Sequence, residues 1–222
     1  MARKFSEATG VIFDCDGTLL DSIGMWNGME RDLCAKAGIP YQKEVADLLT
    51  TMTLPESAQW FFERGFCNSA EEVSKVIDDY IMNYYAHEAA AKPGALDFVR
   101  SLHQRGVRMV CASSTPHAQL EVGLAATGFR PYFLEIVSTD DAGCSKRDPH
   151  IYQVCREILG TPLESTWGVE DAIYAIRTLK GAGFGTVGIY DCDESGTWAD
   201  LSDEADIAIH SWDSEDDLVK LR

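Results

Sequence analysis

With 222 residues, 45% of them hydrophobic and 25% charged, the chain has the composition of a soluble globular protein, long enough for one sizeable core with or without a smaller second domain. Its 19 Lys and Arg against 36 Asp and Glu give a formal charge of −17, which argues against a general nucleic-acid or anionic-membrane surface. An anionic substrate stays open, because a metal ion and one or two placed cations reverse the field locally. Seven cysteines, at 15, 34, 67, 111, 144, 155 and 192, form no CxxC pair and read as reduced thiols. The opening Met1-Ala2-Arg3-Lys4-Phe5 stretch lacks the apolar core of a signal peptide, and no later window is long and apolar enough to span a bilayer, so a cytoplasmic protein is expected.

In chain order, the first predicted element is a buried strand, Val11-Ile12-Phe13, that runs into Asp14-Cys15-Asp16-Gly17-Thr18. Cys15, between the two acids, is either a reactive thiol or a side chain turned back into the sheet. Residues 22 to about 37 have helical spacing, with Met25, Trp26, Met29 and Leu33 as the apolar stripe and Gly38-Ile39-Pro40 as the stop. A helix opens at Leu54-Pro55-Glu56-Ser57 and runs to Gly65, and Ser69-Ala70-Glu71-Glu72 reads as a capping box for another that ends near His87. The block 22–90 shows no strand and is expected to be a small helical domain inserted into a core made of 1–21 and 91–222.

From Pro93-Gly94 onward strands and helices alternate. The predicted strands are 107–112, 134–137, 166–169, 186–190 and a last short one at 207–209; the helices between them are 116–127, 149–159 and 172–182, after one ending at Arg105. Such alternation implies α/β architecture, a doubly wound parallel sheet with helices on both faces. The acidic tail 213–217 is expected to be a solvated helix start.

Four groups of residues carry chemistry. Asp14 and Asp16, two residues apart at a strand end, invite a hard divalent cation such as Mg²⁺; as an isolated pair they also suit a solvated turn. Ser113-Ser114-Thr115-Pro116 puts three hydroxyls after a strand, where Ser113 and Ser114 are phosphate-binding candidates and Thr115 is expected to cap the next helix. Lys146 stands in a loop before Pro149, the expected first residue of a helix, and Arg147 beside it competes for any anion. Glu170 and Asp171, at the end of an apolar strand, either cap the following helix or complete a metal site with Asp14 and Asp16.

This order of motifs, Asp14-Cys15-Asp16-Gly17-Thr18, then Ser113, then Lys146, then Glu170-Asp171, resembles the haloacid dehalogenase (HAD) superfamily of phosphohydrolases. It looks most like the branch of phosphoglycolate phosphatase and β-phosphoglucomutase, whose helical cap is inserted directly after the first motif, and the resemblance covers nearly the whole chain. It implies a HAD-like Rossmannoid core with a small all-helical cap domain. It implies Asp14 as nucleophile and Mg²⁺ ligand, and Asp16 as general acid/base touching the metal through its backbone carbonyl. Ser113 and Lys146 would hold the transferring phosphoryl group, Asp171 would be a metal ligand, and Glu170 would assist directly or through water. Arg147 stands where the family commonly has Pro, and Ala172 where it often has Ser.

The implied activity is Mg²⁺-dependent hydrolysis of a small phosphomonoester, a sugar phosphate or phosphoglycolate-like compound, through an aspartyl phosphate. A sugar-phosphate mutase and an inactive binding relative are the alternatives. The mutases use a cap His where this chain has Trp26, and basic residues in the loop where this chain has Thr50-Thr51-Met52-Thr53-Leu54. Trp26, Met25 and Met52 read as specificity residues of the cap or as its core. The five His have no mutual metal-ligand spacing, and the Gly-rich 181–188 stretch joins a helix to a strand, the wrong context for a dinucleotide loop. The expected partner is a small phosphorylated molecule, with no nucleic acid, no membrane, and a monomer or weak homodimer.

Overall fold

Val11, Ile12 and Phe13 form the heart of strand β1 (Gly10–Phe13), whose four residues are all buried. The computed structural model describes residues 3–49, 52–192 and 195–222. Met1 and Ala2 of the opening stretch and Thr50 and Thr51 of the loop read above lie outside the described residues. The described chain forms two units, Met1–Asp21 with Ala89–Arg222, and Ser22–Glu88.

In the first unit β1 is flanked on one side by β2 (Arg108–Ser113) and on the other by β4 (Thr166–Glu170). With β3 (Ile136–Ser138), β5 (Gly185–Ile189) and β6 (Ile207–Ile209) they make one parallel sheet of order β3-β2-β1-β4-β5-β6. Every residue of β3, β4 and β5 is buried, as expected when helices cover both faces. On one face Ile12, Val110 and Ala112 pack against Ile151, Tyr152 and Cys155 of the helix His150–Leu159. Elsewhere in this unit aromatic contacts link Phe13 with Phe133 and Trp212, Phe5 with Trp167, and Phe98 with Trp212.

Parallel strands end together. Phe13 lies opposite both Cys111 and Val169, so Asp14, the end of β2 and Glu170 emerge on the same edge. The strand order reverses at β1, and the crevice at such a reversal is where open α/β sheets bind ligands.

The second unit contains the helices Ile23–Lys36, Lys43–Leu49, Leu54–Glu63 and Ala70–His87. Met25, Met29, Leu33, Phe61, Val73, Ile77 and Ile81 are buried; Trp26 and Met52 are half-buried. A groove of about 260 Å³ opens between Gly24, Met25 and Gly28 of the first helix and Tyr80 and Tyr84 of the last.

Four local expectations need correction. A reciprocal capping box stands at Thr53 and Glu56, whereas Ser69 caps its helix by accepting Glu72 N–H without the return bond, because the Glu72 carboxylate accepts from Asn68 N–H one residue earlier. Pro149 is the cap of its helix and not its first residue. The helix His117–Ala126 has Pro116 as its cap, with no side-chain capping bond, because Thr115 is committed elsewhere. The acidic tail is not wholly solvated: Asp217 is buried, accepts from the backbone N–H of His210 and Ser211, and pairs with Lys220. Among the described residues no helix is long and apolar enough to cross a membrane.

Candidate active site

The extended backbone of β1 continues one residue further, with Asp14 N–H donating to Val169 O at 2.9 Å, and then turns. Leu19 and Leu20 both donate to Cys15 O, and Gly17, at φ 81°, donates back to Leu20 O. A residue with a Cβ would be strained at that φ. Trp212 Nε1–H pins the outside of the turn by donating to Thr18 O at 2.8 Å. Asp14 is thereby buried, and Asp16 is half-buried. Cys15 between them is fully buried, and its hydrogen bond with Cys111 together with desolvation pushes the thiol well above its usual range, so it is a packed thiol and no thiolate.

Lys146 is 4% exposed and donates to both Asp14 Oδ1 and Glu170 Oε1, the latter at 2.9 Å. Glu170 Oε1 also accepts from the Tyr152 hydroxyl at 3.0 Å. Arg147, which the sequence left as a rival of Lys146, is exposed, with its guanidinium 4.4 Å from the centre of the Tyr174 ring. Of the two, Lys146 is therefore the cation that reaches Asp14 and Glu170. Burial by itself disfavours its charge, but Asp14 and Glu170 outweigh that and hold its pKa well above the usual range.

Asp14, Glu170 and Asp171 each bring a carboxylate oxygen within 4.8 Å of the others, all buried. One lysine does not neutralise three such groups. Burial, followed by the other charges of the cluster, raises Glu170 to about 8 and Asp171 to about 7, and burial outweighs Lys146 in raising Asp14. Asp171 keeps a hydrogen bond with Ser195, while the charge of Asp191 acts on it from farther out. Asp191 itself pairs with Lys92. The second oxygen of Asp14, Oδ2, is buried with no hydrogen-bond partner. An all-oxygen, over-acidic cluster with an orphaned carboxylate oxygen fits a hard divalent cation.

Asp16 faces the other strand. Its Oδ2 accepts from Thr115 Oγ1 at 2.8 Å and from Ser113 Oγ at 3.3 Å, and Ser113 Oγ in turn accepts Thr115 N–H at 3.1 Å. Ser114 is exposed and belongs to no such cluster among the described contacts. The structure thus brings Asp14, Lys146, Glu170 and Asp171 into one group and Asp16 with Ser113 into an adjoining one.

Sequence reasoning missed Thr115, Tyr152 and the Lys92–Asp191 pair. Thr115 before Pro gave a capping signal that masked its contact, and Tyr152 sits on a helical stripe that reads as core. The Lys92–Asp191 pair spans 99 residues and leaves no local signal.

The profile of the haloacid dehalogenase-like hydrolase family matches residues 8–183. Hexitol phosphatase B of Escherichia coli is 25% identical over 174 residues, covering 77% of this chain and 78% of that protein. The phosphorylated carbohydrates phosphatase of Thermotoga maritima is 26% identical over 177 residues, covering 78% and 81%. The structure of CbbY from Rhodobacter sphaeroides in complex with phosphate has the same fold, with a TM-score of 0.80 at 22% identity over 96% of this chain and 99% of that one. With four motifs gathered at one sheet edge and a family profile matched over most of its length, this chain belongs to the haloacid dehalogenase-like hydrolases.

Proposed function

We propose that this phosphomonoester hydrolase acts on a small phosphorylated carbohydrate or a compound of similar size, with Asp14 as nucleophile and Mg²⁺ as cofactor. The observation that carries the proposal is the buried Asp14 carboxylate, one oxygen held by Lys146 and the other without a partner, beside Glu170 and Asp171. The phosphatase names of the relatives from Escherichia coli and Thermotoga maritima support the substrate class. Asp14, Asp171 and the Asp16 backbone carbonyl would hold the cation, with Glu170 assisting, and when bound it neutralises phosphate oxygens so that a dianion can enter an acidic edge.

Within that reading Lys146 and Ser113 orient the phosphoryl group. Asp14 attacks phosphorus, the bond to the leaving oxygen breaks, and Asp16 passes that oxygen a proton. Water then gives a proton to Asp16 and attacks the aspartyl phosphate, releasing inorganic phosphate and restoring Asp14. The helical unit Ser22–Glu88 takes the role of the family's cap domain in this reading, with Trp26, Met25 and Met52 as its specificity residues. Seven free cysteines agree with a reducing, cytoplasmic setting.

The test is phosphate release from hexitol phosphates, sugar phosphates, phosphoglycolate and p-nitrophenyl phosphate, in Mg²⁺ or EDTA. Turnover is expected in Mg²⁺ only, and Asp14→Asn is expected to lower it at least ~10³-fold while leaving the far-ultraviolet circular dichroism unchanged. Turnover in EDTA equal to that in Mg²⁺, or an active Asp14→Asn, would refute the assignment.

A further inference from the structure

Thr115 is placed by sequence to cap a helix, yet it does not. Its helix is capped at Pro116 without a side-chain bond, and Thr115 is 2% exposed with its hydroxyl donated to Asp16 Oδ2 at 2.8 Å. A hydroxyl has one proton to give. Ser113 donates to the same oxygen from farther away, at 3.3 Å, and is the residue assigned to the phosphoryl group. Once Ser113 turns its proton to a phosphate oxygen, Thr115 remains as the hydroxyl from this strand end holding Asp16.

We propose that Thr115 is a positioning residue for proton transfer: by holding Asp16 Oδ2 it sets the orientation of the carboxyl in which Oδ1 hands its proton to the leaving group. The inference rests on the reading of Asp16 as general acid. A neutral carboxyl has one O–H and one carbonyl oxygen, and an oxygen that accepts hydroxyl bonds is the carbonyl one. The proton on Oδ1 then moves to the departing alkoxide oxygen as its bond to phosphorus breaks and the bond from Asp14 forms, so the leaving group departs as a neutral alcohol. Without the Thr115 hydroxyl, the carboxyl can turn so that its acidic oxygen faces away from the substrate.

A structural role and a positioning role separate through the leaving group. An alkyl phosphate needs the proton, whereas p-nitrophenolate departs without it. The measurement is kcat/KM, which reports steps only through transfer to Asp14, for wild type, Thr115→Val, Thr115→Ala and Thr115→Ser on a hexitol phosphate and on p-nitrophenyl phosphate. The Val and Ala variants are expected to lose ~10²-fold on the alkyl substrate and under ~3-fold on the aryl one, and Ser to restore the alkyl rate to within ~5-fold of wild type. Equal losses on both substrates, or no loss on the alkyl phosphate, overturn the inference alone. If Val does not fold, Ala and Ser decide the same comparison. Wild type that turns over neither substrate overturns the functional reading and this inference with it.

Discussion

Raising the pH of the metal-free protein from 5 to 8.5 should destabilise it, and Mg²⁺ should remove most of that loss. Glu170 stands at about 8 against an ordinary 4.5, and Asp171 at about 7 against 3.8, both raised first by burial. A raised carboxylate pKa means that the folded chain keeps a proton that the unfolded chain has already released. Stability from these groups is therefore fully present below the ordinary carboxylate values and is lost as pH rises through about 7 to 8. At about 1.4 kcal/mol per pH unit, Glu170 alone sets a ceiling of about 5 kcal/mol. Asp171 shares part of the same repulsion, so the pair together is expected to cost on the order of 5 kcal/mol and not twice that. The carboxylates held low, Glu56, Glu72, Asp141 and Asp217, titrate below this window and act in the opposite direction. Urea unfolding at half-unit pH steps in EDTA reads the slope. In saturating Mg²⁺ the cation replaces the protons, and the slope between pH 6.5 and 8.5 should flatten. Glu170→Gln should show a shallower fall in EDTA than wild type. Stability that is level or rising from pH 5.5 to 8.5 in EDTA, or an unchanged slope in Glu170→Gln, would refute the account of the cluster as over-acidic.

Two further outcomes follow from buried contacts. Lys146→Met leaves the Asp14 and Glu170 carboxylates without their shared cation and should lower stability at pH 7 by ~3–5 kcal/mol while abolishing turnover; adding Glu170→Gln should regain at least ~1 kcal/mol, and a single-variant loss under ~1 kcal/mol counts against the pairing. Gly94→Ala places a Cβ 2.4 Å from Trp212 O at φ 79° and should cost at least ~2 kcal/mol in urea, whereas Gly106→Ala, at φ 77° with nothing within 4 Å, should cost about 1; equal losses would show that the Trp212 contact yields without strain.

The elements that local pattern controls were legible in the chain. Apolar runs closed by polar residues marked β1, β2 and β4, helical spacing marked the inserted block, and βα alternation implied a parallel sheet. Asp14, Asp16, Ser113, Glu170 and Asp171 were legible as candidates because each stands at or just past a strand end, where a pattern change is visible without knowing the fold, whereas Lys146 stands in a loop with Arg147 as its rival. The helix Lys43–Leu49 was not read from the sequence, since only Leu49 in it is buried and its apolar stripe is correspondingly weak.

What local pattern does not contain is direction. Thr115 before Pro116 has the same local sequence whether its hydroxyl caps a helix or reaches back across 99 residues to Asp16, and only the pairing of β1 with β2 brings the two together. Arg147 and Lys146 are adjacent cations in one loop, and the packing of the helix His150–Leu159 against the sheet decides which is buried among acids and which lies over Tyr174. The sequence by itself determined the strand and helix types, the inserted helical block and the identity of the acids, because hydrophobic period and turn chemistry act over a few residues. Tertiary structure alone decided how many carboxylates share one lysine and how far their protons are held, because desolvation and charge repulsion depend on distances between segments more than a hundred residues apart.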